Sequence, residues 1–242
     1  MNSSLSSARP TVVLVHGAFA DASSWRRVAE RLRDAGTRVL AAANPLRGLS
    51  HDGDYIASVV RRIDGPVVLV GHSYGGPVIT HASSAASNVE GLVFVAAFGL
   101  DKGMSALSST EGFPPPELGS ALVPSAYPDG SGTATEFTID EGRFHSVFCA
   151  DLPTETAALM AVSQRPVAER ALSEPLAVEP GWKRLPSRFV VAGADHAIDP
   201  AAQRAAAARV GAETVELEGA SHAVALSHPE AVARAITAAV LA

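Results

Sequence analysis

Three residues have the types that acyl transfer through a serine requires: Ser73, Asp195 and His222. A serine hydroxyl is a poor nucleophile at neutral pH and needs a base within hydrogen-bond reach, which a carboxylate must orient. Ser73 lies in Gly71-His72-Ser73-Tyr74-Gly75-Gly76, a G-x-S-x-G pattern. Short patterns of this kind recur by chance, and a plain Gly-Ser connecting loop is the alternative. The flanks argue for more. The apolar run Pro66-Val67-Val68-Leu69-Val70 precedes the pattern and the helix-like Pro77-Val78-Ile79-Thr80-His81-Ala82 follows it. Strand, sharp turn and helix are the context of a nucleophile elbow. Glycines at positions 71 and 75 let strand and helix approach where a Cβ would collide with backbone.

Asp195 falls just past the apolar run 188–192, and His222 just past the run 213–217. Loops that follow parallel strands open on one edge of a sheet, so the three residues can converge there. Other histidines compete. His72 is locked in the elbow, His81 lies in the following helix, and His228 falls at a helix start; His51, His145 and His196 have no such placement. For the acid, Asp195 is preferred over Asp199, while Asp101, just after the run 91–97, stays an alternative because its loop opens on the same edge. Two backbone N–H groups are needed to hold a developing oxyanion. Tyr74, next after the nucleophile, supplies one, and the loop His16-Gly17-Ala18-Phe19 supplies the other, with Ala18 as the expected donor. His16 reads as structural.

The elements that must position these groups follow from periodicity. Strands are predicted at 11–15, 38–41, 66–70, 91–97, 188–192 and 213–217, with 11–15 and 91–97 read as fully buried. Helices are predicted at 25–35, capped by Ser23 or Ser24, at 54–63, after the elbow, at 200–210, and at 229–241 with Ser227 as its cap. Strands and helices alternating in this way imply βαβ units and a parallel sheet covered on both faces. From 98 to 186 the alternation stops. Phe113-Pro114-Pro115-Pro116 and Tyr127-Pro128-Asp129-Gly130-Ser131-Gly132 read as loops, and 141–148 and 154–163 as helices. Because so long an unstructured loop is uncommon in a compact domain, the segment reads as a helical cap on a core formed by 1–97 and 187–242.

The chain has 242 residues, of which 47% are hydrophobic and 18% charged, enough to bury a sizeable core. Its net charge of −6 gives no reason to expect a nucleic acid or an anionic membrane as partner. A single cysteine, Cys149, excludes an internal disulfide and reads as an inert buried thiol. The first residues lack the apolar core of a signal peptide, and no uninterrupted apolar run is long enough to span a bilayer. A cytoplasmic protein with a mobile Ser-rich tail over its first nine residues is expected, as a monomer or homodimer that needs no metal or organic cofactor.

His16-Gly17-Ala18 with Trp25, the Gly-His-Ser-Tyr-Gly-Gly elbow and Gly-Ala-Ser-His-Ala-Val-Ala-Leu-Ser-His-Pro at 219–229 together resemble the α/β-hydrolase fold. Within it they are similar to the small esterase branch that includes plant methylesterases, hydroxynitrile lyases and bacterial relatives. The resemblance spans nearly the whole chain except 98–186, and implies hydrolysis of an ester or lactone through Ser73, with His222 as base and Asp195 as its partner. In the lyase branch a threonine stands at the place of Gly17 and a lysine follows the catalytic histidine; here that next residue is Ala223. Without that cation a departing cyanide lacks a charge partner, so hydrolysis is preferred. A cofactor-free lyase, cyclase or perhydrolase, or a ligand-binding receptor on the same fold, stay as alternatives.

Overall fold

A computed structural model describes residues 9–241; all of the Ser-rich tail but Arg9 lies outside them. Six parallel strands form the central sheet: β1 (Thr11–Val15), β2 (Val39–Ala42), β3 (Val67–His72), β4 (Val89–Val95), β8 (Ser187–Ala192) and β9 (Glu213–Leu217). Their order is β2-β1-β3-β4-β8-β9, every pairing parallel. Between β4 and β8, which are sheet neighbours, the chain inserts β5 (Leu122–Pro128), β6 (Thr133–Ile139) and β7 (Val167–Ala168). The helices are α1 (Arg26–Asp34), α2 (Leu49–Val60), α3 (Gly75–Ala85), α4 (Leu118–Ala121), α5 (Glu141–Phe148), α6 (Thr154–Val162), α7 (Glu169–Ser173), α8 (Pro200–Arg209), α9 (Val224–Ser227) and α10 (Pro229–Val240).

The period-2 geometry of a strand splits the apolar runs between two cores. Val13 and Val15 of β1, Leu69 of β3 and Phe94 of β4 pack against α2, α3 and the insertion. Val12, Leu14, Val68, Val70 and Val93 face α1, α9 and α10 on the other side. Both faces are covered, which is why these strands read as unbroken apolar runs rather than alternating ones.

Several expectations need correction. The insertion is not helical only, for β5, β6 and β7 form an antiparallel sheet of their own. Residues 129–132, read as part of a loop, form the tip of the β5–β6 hairpin, where the Asp129 carboxylate accepts the N–H groups of Ser131 and Gly132. Pro124 and Pro128 obscured β5, yet β5 is an edge strand, where a residue without an N–H is tolerated. Helix α2 begins at Leu49, not Asp54. The turn leading into α1 is capped by Asp21, whose side chain accepts the Ser23 N–H, so neither Ser23 nor Ser24 is the cap. Helix α10 has no side-chain cap; the Ser227 hydroxyl instead meets His228 Nδ1 at 2.9 Å.

Candidate active site

The elbow is built on backbone contacts too tight for side chains. Ser73 has φ of 54°, a left-handed conformation that a non-glycine residue rarely adopts. It is held there because its N–H donates to Val95 O of β4 (3.1 Å) and its carbonyl accepts the Gly76 N–H (3.0 Å). A Cβ on Gly71 would sit 2.4 Å from Gly75 O, and one on Gly75 would sit 2.5 Å from Val15 O of β1. The two glycines thus answer to different neighbours, one to the start of α3 and the other to the adjacent strand.

His222 and Asp195 meet as expected. His222 Nδ1–H donates to Asp195 Oδ2 at 2.6 Å, with both side chains fully enclosed. This fixes the tautomer with Nε2 as the basic nitrogen. The carboxylate is saturated by other donors. Oδ1 accepts the N–H groups of Ala197 (2.7 Å) and Ile198 (2.9 Å), and Oδ2 also accepts Gln203 Nε2 (2.7 Å). Gln203 was missed in the sequence, where it sits in an alanine-rich helix. It is fully buried, and it also donates to Ile198 O and accepts the Ala192 N–H at the end of β8. It positions the Asp195 carboxylate relative to the strand. The rival Asp101 lies at the surface, paired with Lys183 Nζ at 2.7 Å.

The loop after β1 is oriented by His16. Its Nδ1–H donates to Gly17 O (2.9 Å), while its Nε2 accepts the Asn44 N–H (2.9 Å). In a trans peptide the carbonyl and the next N–H point in opposite directions. Holding Gly17 O therefore sets the direction of the Ala18 N–H. Neither the Ala18 nor the Tyr74 N–H donates to a protein acceptor among the described residues, although both residues are buried. Buried unpaired donors are costly and uncommon. The Tyr74 hydroxyl donates to the buried Asp52 (2.8 Å), which fixes the ring. A Cβ on Gly17 would lie 2.6 Å from Ser73 Cβ, so a threonine does not fit here without moving the nucleophile.

Ser73, His222, Ala18 and Tyr74 line one cavity of about 180 Å³. The insertion supplies apolar walls from Phe98, Leu107, Leu118, Leu122 and Leu172, and among the described residues no Asp, Glu, Lys or Arg borders the cavity. Phe144 and Phe148 are buried, and the Phe148 ring stacks edge-on against His222 with centroids 4.9 Å apart. The thiol of Cys149 is buried and pushed up to about 12 by desolvation, consistent with an inert group.

Several other histidines bond within the fold. His81 pairs with Asp54, and His145 Nε2–H donates to Leu152 O. His72 sits in the elbow, and its ring Nε2–H donates to His222 O at 2.8 Å, tying the elbow to the histidine loop. Burial holds the His72 ring down to about 3 and the His16 ring down to about 4, so both are neutral in the folded protein at ordinary pH. An unfolded histidine titrates near 6.5. Below that pH the unfolded chain takes up to two protons that the folded chain refuses. This stability is present above about 6.5 and is lost as pH falls toward the folded values. The expected loss near pH 5 is roughly 2–3 kcal/mol per pH unit. Asp52, whose carboxyl is raised by burial, opposes the loss in the carboxylate range. Urea unfolding at pH 8, 7, 6 and 5 measures this; equal stability at pH 7 and pH 5 would refute it.

Among the described residues no three His, Cys, Asp or Glu side chains cluster as a metal site would need, and no helix is long and apolar enough to cross a membrane.

A doubly wound parallel sheet, a strained serine turn after β3 and a histidine loop after the last strand define the α/β-hydrolase class. Residues 12–235 match the model of the alpha/beta hydrolase family, and the chain belongs to that family. A carbendazim hydrolyzing esterase from Nocardioides sp. (strain SG-4G) is 35% identical over 124 residues; the match takes in 46% of this chain, and the chain spans about half the length of that relative (51%). Among solved structures, polyneuridine aldehyde esterase superposes with a TM-score of 0.81 at 21% identity, over 96% of this chain and 99% of that one. A pyrethroid hydrolase from Sphingobium faniae JZ-2 gives 0.79 at 22% identity, over 96% and 98%. An Arabidopsis methylesterase gives 0.79 at 19% identity, over 96% and 99%. These likenesses establish the fold, and the resemblance to the esterase branch read from the motifs holds.

Proposed function

We propose that the chain is a serine hydrolase that cleaves a small, uncharged carboxylic ester or lactone through an acyl-enzyme on Ser73. The observation that carries this reading is the pair of N–H groups of Ala18 and Tyr74, which meet no protein acceptor among the described residues, on buried residues that line one cavity with Ser73 and His222. Folding pays for such donors only where something else accepts from them.

His222 Nε2 removes the Ser73 proton as the hydroxyl attacks the carbonyl carbon. The oxyanion accepts from Ala18 and Tyr74, and Asp195 stabilises the imidazolium. His222 then protonates the leaving alcohol, and water repeats the cycle on the acyl-enzyme. The absence of charged residues from the cavity lining favours neutral substrates, because an anion or cation would be desolvated there without a partner. The names of the relatives, an esterase for carbendazim, a pyrethroid hydrolase and a methylesterase, support ester cleavage. The lack of a lysine or arginine in the cavity argues against a lyase that must receive an anionic leaving group.

A panel of esters, lactones and amides, run beside a fluorophosphonate probe, tests the reading. The expected result is turnover of neutral esters and one phosphonate per chain on the peptide carrying Ser73. Turnover without labelling of Ser73, or neither, would refute it.

A further inference from the structure

Phe19 is the residue that borders both the catalytic cavity and a second hollow of about 220 Å³. That hollow lies between the loop after β1 and helix α6 of the insertion. Phe19 itself has φ of 61° and is almost fully buried. A bulky residue in the left-handed region carries a strain that needs a reason. The conformation sets the ring as a wall directly after Ala18, edge-on to Phe148, with centroids 6.4 Å apart. Phe148 in turn packs on His222.

We propose that the hollow beyond Phe19 is a second substrate subsite, which takes an uncharged, apolar arm of an ester too large for the catalytic cavity, and that Phe19 sets how far the arm reaches. This rests on the esterolytic reading of Ser73. The chemistry of the lining selects the arm. Leu159, Met160 and Leu226 offer apolar surface, and Ser23, Ser24 and Thr156 offer hydroxyls. Two charged side chains also border the hollow: the Asp21 carboxylate, which accepts the Ser23 N–H at 2.7 Å, and Arg26, which is exposed to solvent. Leu159 is 70% exposed at the rim, an apolar side chain on the surface where an alkyl or aryl arm gains by covering it.

The test uses two series of aryl and alkyl esters, one lengthened on the acyl side and one on the alcohol side, assayed as kcat/KM. Each methylene buried in apolar surroundings is worth about fourfold. In the wild type, kcat/KM should rise along one of the two series once the arm outgrows the first cavity. Leu159→Arg, on an exposed helical position that folding tolerates, should lower the ratio of long to short esters by about tenfold, mainly through KM. Phe19→Gly keeps the positive φ without strain and removes the wall, so the same ratio should rise by about tenfold. The double variant should cancel the gain. A ratio unchanged within twofold in Leu159→Arg overturns the subsite, whether or not Phe19→Gly folds. A wild type without Ser73-dependent esterolysis overturns the parent reading instead, so the two failures are distinct.

Discussion

Ser73→Ala is expected to lower kcat for the preferred ester by about 10⁶ while the protein folds as before. The size follows from the loss of the attacking atom. What survives in the proposed mechanism is the hold of the Ala18 and Tyr74 amides and the binding cavity; such holds elsewhere sustain about 10³–10⁴ over water. Folding should persist because the contacts that fix the elbow are made by backbone: Ser73 N–H to Val95 O and Gly76 N–H to Ser73 O. Alanine keeps both and keeps the strain of the positive φ, so its melting temperature should match the wild type. Ser73→Gly should be as inactive yet melt no lower, since glycine occupies that conformation freely. Steady-state rates on purified variants and thermal unfolding check both points. Residual activity within tenfold of the wild type would place the nucleophile elsewhere.

Much of this site was legible because its signals are local. Thr11-Val12-Val13-Leu14-Val15 and Val67-Val68-Leu69-Val70 read as strands from composition alone. A serine between glycines at a strand–helix junction has one common geometric use, and each later partner sits directly behind its own strand. The parts that were not legible depend on contacts between distant segments. Gln203 lies among alanines with no charge pattern to mark it, and its role appears only once α8 packs its buried face, Ala202, Gln203, Ala206 and Ala207, toward the loop carrying Asp195. A polar residue on an otherwise apolar helical face was the available signal. The bond from His72 to His222 O joins residues 150 positions apart. The sheet in the insertion was hidden by Pro124 and Pro128 in β5, although Thr133, Thr135, Phe137 and Ile139 of β6 alternate as a strand should. The helix caps were misassigned because Asp21 and Ser23 are equally good cap residues by type, and only the backbone path chooses between them.

Asp195→Asn is expected to cost about 10⁴ in kcat with KM changed only a few-fold, whereas Asp101→Asn should stay within about twofold of the wild type. The reason lies in the donors around Asp195. Four of them point at its two oxygens: the amides of Ala197 and Ile198, Gln203 Nε2 and His222 Nδ1. An asparagine has one oxygen to offer. If its oxygen faces the two backbone amides, its NH₂ meets Gln203 and His222. The imidazole then accepts through Nδ1 and carries its proton on Nε2, the nitrogen that must be free to take the Ser73 proton. If the amide turns round, its NH₂ collides with two backbone N–H groups that cannot rotate. Gln203 could invert its own amide, but its Oε1 already accepts the Ala192 N–H at 3.0 Å. Every arrangement leaves a buried donor against a donor, so the variant should also melt lower than the wild type. Asp101 has no such coupling. Its side chain is 39% exposed and its partner, Lys183, is at the surface. Loss of activity in Asp101→Asn with full activity in Asp195→Asn would move the acid to the loop after β4. Equal and small losses in both would mean that neither carboxylate sets the His222 tautomer on which the proposed mechanism depends.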